Sequence, residues 1–196
     1  MRVKICGITR EEDARAAERA GADAIGVVVC SESPRSIPLE KAAKIFSSVG
    51  PFVNTVAVTH TTSGEELAQI LGLQPHAVQL FHSFPRPAGY RGKIIRVIDR
   101  GSPLPGDGDG VAIDESAGSG ALYDPVFASD VVARSTVPVM LCGGLTPENV
   151  GEAVRTVRPY AVDVCTGVER SPGIKDHRLI ERFIRAAKSC GEEKPR

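Results

Sequence analysis

Two hydrophobic periods alternate along this chain. Short runs rich in valine, isoleucine and alanine fall near residues 2–6, 23–29, 53–58, 76–81, 93–98, 110–114, 137–141 and 160–164. Val3 and Ile5 flank Lys4 with the period of two that marks a strand. Ala24-Ile25-Gly26-Val27-Val28-Val29 is apolar throughout, as parallel strands covered on both faces are. Amphipathic segments near 10–20, 38–48, 63–71, 124–134, 146–156 and 176–189 predict helices between these runs. Several open on a cap or an early proline: Ile37-Pro38-Leu39-Glu40, Thr62-Ser63-Gly64-Glu65-Glu66 and Leu145-Thr146-Pro147-Glu148. Thr9, with Glu12 three residues on, has the spacing of a capping box for the first helix.

Eight strands alternating with helices in 196 residues favour an α/β fold of the closed (β/α)8 TIM-barrel type over an open doubly wound sheet, with 1–196 as a single domain. Two crossovers are lean. Residues 83–92, with Pro85, Pro87 and two glycines, leave room for about one helical turn. Asp-Arg-Gly-Ser-Pro-Leu-Pro-Gly-Asp-Gly-Asp at 99–109 cannot be helical, so a loop is expected to replace the helix after strand five. The polar stretch 191–196 is expected to fray.

Charge narrows the partners. Lysine plus arginine equals aspartate plus glutamate at 24 each, which argues against a broad nucleic-acid surface and makes any anion site local. No apolar run approaches the roughly 18 residues of a membrane span. Met1-Arg2-Val3-Lys4 leads straight into a strand, so a cytoplasmic protein with neither a membrane nor a nucleic-acid partner is expected. Five cysteines, an odd number with no C-x-x-C, argue against a disulfide framework.

In a barrel, chemistry gathers at the carboxyl ends of the strands. Those positions hold Cys6, Cys30, His60, Phe81-His82, Asp99, Asp114, Cys142-Gly143-Gly144 and Cys165-Thr166-Gly167. Glycines in the loops after strands seven and eight let backbone amides approach an anion, and a helix start near Gly173-Ile174-Lys175 would aim its dipole inward. A phosphate site on Gly143, Gly144, Thr166 and Gly167 is one reading; tight turns alone are the other. Asp114 ends the apolar run Gly110-Val111-Ala112-Ile113, where partial desolvation suits a general acid, although an aspartate there can also cap a turn. Cys6 is either a small buried hydrophobe or, opposite Asp114, a general base whose thiolate needs nearby positive charge. Lys4 shares its face by alternation. Arg35, after strand two, suits an acidic substrate group or plain solvation, and Gln79 on strand four is either a polar core residue or a substrate contact. Cys6, Cys30, Cys142 and Cys165 sit on neighbouring strands, yet no histidine or paired-ligand spacing accompanies them, so no metal is expected.

Taken together, these motifs resemble phosphoribosylanthranilate isomerase of tryptophan biosynthesis. The matching pieces are Val3-Lys4-Ile5-Cys6-Gly7-Ile8-Thr9, Ala20-Gly21-Ala22-Asp23-Ala24-Ile25-Gly26, Ser33-Pro34-Arg35-Ser36-Ile37, Val78-Gln79-Leu80 and Ile113-Asp114. They continue through Gly118-Ser119-Gly120, the segment from Cys142 to Val150, the segment from Val162 to Glu169, and Ser171-Pro172-Gly173-Ile174-Lys175-Asp176. The resemblance implies a barrel enzyme that performs an Amadori rearrangement of a phosphorylated small molecule without a cofactor, as a monomer or homodimer. It implies Asp114 as general acid, Cys6 as general base, Arg35 at the anthranilate carboxylate, and the Gly143-Gly144 and Thr166-Gly167 turns at the phosphate. Lys4 and Gln79 are further expected substrate contacts. Four features depart from the family pattern. Phe81-His82 stands where His-Gly is common, Cys165-Thr166 replaces a serine pair, Cys142 is the small residue before the glycine pair, and the loop from Asp114 to Gly118-Ser119-Gly120 is short. Two alternatives remain. A related histidine-pathway isomerase would need two aspartates at strands one and five and a two-fold repeat, and a non-catalytic phosphate-binding protein would need neither Cys6 nor Asp114.

Overall fold

Side chains alternate in direction along a strand, so each apolar run here splits into two sets with different partners. In the computed structural model, which describes residues 1–115 and 121–190, both sets are buried. Eight parallel strands form the closed barrel: β1 (Arg2–Ile5), β2 (Ala24–Val28), β3 (Asn54–Thr59), β4 (Ala77–Leu80), β5 (Lys93–Ile98), β6 (Gly110–Ile113), β7 (Val139–Leu141) and β8 (Ala161–Val164). Chain order is barrel order, and β1 closes on β8 with Lys4 opposite Asp163 and Ile5 opposite Val164. The helices are α1 (Glu11–Arg19), α2 (Leu39–Ser47), α3 (Gly64–Gly72), α4 (Pro125–Arg134), α5 (Val150–Val157) and α6 (His177–Ser189).

Outward residues such as Ile5, Ile25, Val78, Ile113, Leu141 and Val162 pack beneath the helices in one continuous core. The last helix shows why it docks: Ile180, Phe183, Ile184 and Ala187 recur at helical spacing and are all buried. Burying Phe183 or Ile184 is worth about 1.5–3 kcal/mol each. Inward residues form two smaller clusters, one of Cys6, Val28, Val56, Val58 and Ala77 and one of Ala112, Met140 and Cys142.

Among the described residues, neither the β4–β5 nor the β5–β6 connection contains a helix. The 99–109 loop is as expected; the single turn anticipated over 83–92 is absent too, because the prolines there cannot donate the bonds a helix needs. Arg96, on the outward face of β5, fills part of the space. Its buried side chain pairs with Asp107 and donates to the Phe84 carbonyl at 2.6 Å.

The capping box is a second departure. The residue before α1 is Arg10, and no side chain caps that helix. Thr9 Oγ1 instead donates to the Gly173 carbonyl at 2.5 Å, and Arg10 forks onto the buried Asp13 with both bonds at 2.9 Å. Thr9 is thus drawn to the loop after the neighbouring strand β8, distant in sequence, rather than onto its own helix. The helix expected from Thr146 starts later, at Val150, because Asn149 Oδ1 accepts from Thr146 N at 2.8 Å and holds residues 146–149 as a turn.

Candidate active site

The carboxyl ends of the strands surround a cavity of about 630 Å³, open to solvent. Its walls include Cys6, Arg35, Gln79, Asp114, Gly143, Gly144 and Thr166, together with Asp163, His60 and Phe81. Lys4 lies deeper and is not in this wall. Its ammonium meets Asp163 Oδ1 and Gln79 Oε1 at 3.0 Å each, close enough to Cys6 for its charge to act on the thiol. Gly26 makes the room: a methyl there would lie 2.8 Å from both Cys6 Sγ and Lys4 Cε.

This buried group sets the state of the base. Burial opposes the Lys4 charge, but Asp163 and the Cys6 and Cys142 thiols outweigh it and hold the ammonium above its usual range. Burial and the Asp163 charge push the Cys6 thiol up, while Lys4 and Lys175 pull it down. A thiolate formed there is a stronger base than a free one and has an ammonium beside it. Asp114, half-buried at the end of β6, and Cys6 at the end of β1 are on nearly opposite strands of the ring, with the cavity between them.

Arg35 is buried, not solvated. Its Nε and Nη2 donate to Glu169 Oε1 and Oε2 at 2.9 and 2.8 Å. Lys175, 1% exposed, donates to Glu169 Oε1 at 2.9 Å and to the Cys165 carbonyl at 3.0 Å. Burial disfavours the Glu169 carboxylate, but Arg35 and Lys175 more than compensate and hold it below its usual range. Gly7, at φ +66°, lets these parts converge. A methyl there would sit 2.5 Å from Cys165 Sγ and 2.7 Å from Arg35 Cδ.

The two glycine loops also approach each other closely. Gly143 and Gly144 adopt φ of 93° and 60°, the left-handed region that glycine tolerates. A methyl on Gly167 would fall 2.0 Å from the Leu145 carbonyl oxygen. A short 3-10 turn, Thr166–Val168, follows β8. The helix start expected near Gly173 is a correction: residues 169–175 form a two-stranded hairpin, β9 (Glu169–Ser171) and β10 (Ile174–Lys175), and α6 begins only after the Asp176 cap. Pairing Glu169 and Lys175 side by side in that hairpin defeats the helix. Gly118-Ser119-Gly120, part of the matching sequence, lie outside the described residues.

Sequence reasoning did not single out Asp163, Glu169 and Lys175. A signal was present, since Asp163 interrupts the apolar β8 as Lys4 interrupts β1, and opposite charges at matching places in two adjacent strands pair. His60 Nδ1 lies 2.9 Å from Ser31 Oγ, and its ring stacks on Phe81 at 3.9 Å between centroids. Burial lowers the His60 pKa below its usual value, so the wall carries a neutral ring at pH 7.

The chain is similar to known proteins over nearly its whole length. Residues 105–186 match the family model for N-(5'phosphoribosyl)anthranilate (PRA) isomerase. An N-(5'-phosphoribosyl)anthranilate isomerase of Methanoregula boonei is 56% identical over 191 residues, covering 97% of this chain and 98% of that protein. The crystal structure of phosphoribosyl anthranilate isomerase from Thermus thermophilus superposes with a TM-score of 0.87 at 34% identity, covering 96% of this chain and 99% of that one. A phosphoribosyl anthranilate isomerase in complex with reduced 1-(o-carboxyphenylamino)-1-deoxyribulose 5-phosphate gives 0.81 at 33% identity, with the same coverage of 96% and 99%.

Proposed function

This chain belongs to the N-(5'-phosphoribosyl)anthranilate isomerase family, whose reaction is an Amadori rearrangement in tryptophan biosynthesis, and we propose that Asp114 and Cys6 divide its proton transfers. Asp114 gives a proton to the furanose ring oxygen; the ring carbon–oxygen bond breaks and the anthranilate nitrogen forms a Schiff base with C1. Cys6 then removes the C2 proton, whose electrons flow into the C1–C2 bond to give an enolamine. Reprotonation at C1 and loss of the C2 hydroxyl proton yield the ketone. Each bond change is driven by a proton transfer, so the scheme calls for no cofactor and no metal.

The observation that carries this reading is that Cys6 and Asp114 line one cavity with Arg35 and both glycine loops. Gly143, Gly144, Thr166 and Gly167 hold the phosphate of the ligand through backbone amides and the threonine hydroxyl. Arg35 meets the anthranilate carboxylate, and Gln79 a sugar hydroxyl. Lys4 acts through Cys6, since it sits below the wall and its ammonium steadies the thiolate. A ligand like the one seen in the related complex, with phosphate at one end and carboxylate at the other, spans these anchors.

Each barrel carries a whole set of site residues, which suits either a monomer or a homodimer of independent sites. No helix is long and apolar enough to cross a membrane among the described residues. Five free thiols, three of them lining this cavity, suit a reducing compartment, and we place the chain in the cytoplasm.

The test follows loss of N-(5'-phosphoribosyl)anthranilate fluorescence in the wild type and in the Cys6→Ser and Asp114→Asn variants. Each variant should lose about 10²–10⁴ in kcat, the usual worth of a positioned acid or base. Turnover near wild type in either would reassign that role.

A further inference from the structure

A guanidinium has two hydrogen-bonding edges that fit a carboxylate, and among the described residues Arg35 spends one of them on Glu169. Glu169 accepts from Arg35 Nε and Nη2 at 2.9 and 2.8 Å, which fixes the plane of the group and turns the Nη1–Nη2 edge the other way. Glu169 is itself held from behind. Lys175 Nζ donates to Oε1 at 2.9 Å, and the Gly173 amide donates to the same oxygen at 3.1 Å. The side chains of Arg35, Glu169 and Lys175 are 8%, 5% and 0% exposed, so none is free to choose another rotamer in solvent.

The charges matter as much as the bonds. Arg35 and Glu169 alone would be neutral and would attract a carboxylate weakly. Lys175, buried from the β9–β10 hairpin, leaves the cluster with one net positive charge in a place of low dielectric, where an anion's attraction is strong.

We propose that Glu169 and Lys175 are positioning residues for substrate specificity. Glu169 aims the second edge of Arg35 at the aromatic carboxylate, and Lys175 supplies the charge that makes the site select an acidic aglycone over a neutral one. This rests on the reading of Arg35 as the carboxylate contact. It extends that reading from one arginine to a three-residue device reaching from the loop after β2 to the hairpin after β8.

Two probes separate this from a structural role: reduced 1-(o-carboxyphenylamino)-1-deoxyribulose 5-phosphate, and the same compound with no carboxyl group on the ring. The ratio of their Kd values, read by calorimetry, is the carboxylate preference. Arg35→Ala should abolish it. Glu169→Gln, nearly isosteric, should reduce it at least about tenfold, the cost of one charge-assisted hydrogen bond, while the Kd of the carboxyl-free probe stays within about twofold. Lys175→Met should reduce the preference as well. Simple electrostatics predicts the opposite for Glu169→Gln, because it adds net positive charge; an unchanged or larger preference there, with Arg35→Ala abolishing it, would overturn the positioning role alone. A preference that survives Arg35→Ala would overturn the arginine contact itself and this inference with it. Should Glu169→Gln fail to give a cooperative melt, Arg35→Lys keeps the charge but has no second edge. It should lose the preference too, and retention would refute the aimed-edge account.

Discussion

Replacing Lys4 with methionine tests the centre of the site. The ammonium is 3% exposed and its partner Asp163 is 9% exposed, with 3.0 Å between charged atoms, so solvent screens this pair little. At an effective dielectric of about 20 the attraction across that gap is about 5 kcal/mol. Methionine matches the length of the stem but leaves Asp163 buried without its cation, and breaking a buried pair costs about 3–5 kcal/mol. Burial already pushes the Asp163 carboxyl up, so some of that cost will be relieved by protonation. The double variant Lys4→Met with Asp163→Asn removes both charges and should recover most of the loss, because no buried charge is then left without its counter-ion. Urea unfolding followed by circular dichroism measures the three proteins. The same change acts on catalysis. A base must lose its proton to work, and Lys4 pulls the Cys6 thiol down, so removing it should move the rising limb of the kcat/KM profile to higher pH. If Lys4→Met destabilises by less than about 1 kcal/mol, or leaves the rising limb in place, the ammonium neither balances Asp163 nor supports the thiolate.

Two further outcomes are expected. Burial raises the thiols of Cys6, Cys142 and Cys165, the last to about 12, above their ordinary value of 9.0. The folded chain therefore holds these protons more tightly than the unfolded one. The corresponding stability is complete below about pH 9 and is lost as pH rises through the folded values, and Cys142→Ala should lessen that loss in urea melts at pH 8 and 10.5; stability that climbs from pH 9 to 11 would contradict the sign. Gly167→Ala puts a methyl 2.0 Å from the Leu145 carbonyl oxygen, so it should cost about 1–3 kcal/mol and raise KM for the phosphorylated substrate. An unchanged KM would show that the two loops need not meet so closely to hold phosphate.

Hydrophobic periodicity was enough to read the barrel because it is a local property. Alternation along β1 and the unbroken apolar run of β2 follow from being covered on one or both faces, whatever lies across the ring. The loop at 99–109 was legible for the same reason: proline and glycine act on their own backbone. Helix starts were less secure. Thr9 has the spacing of a cap, but a partner 164 residues away in the chain captures its hydroxyl. Lys175, placed beside glycine in a segment that reads as a helix start, is in a hairpin because Glu169 awaits it there.

By itself the sequence determined the strand count, the closed parallel barrel, the strand ends that carry Cys6 and Asp114, and a motif set specific enough to indicate the family. Tertiary structure alone decided the electrostatics of those ends. Lys4 faces Asp163 only because β1 closes against β8, and Arg35 finds Glu169 only because the loop after β2 folds over the hairpin after β8. A side chain's type and spacing are written in its neighbours along the chain, whereas its charge state depends on which distant groups share its desolvated volume.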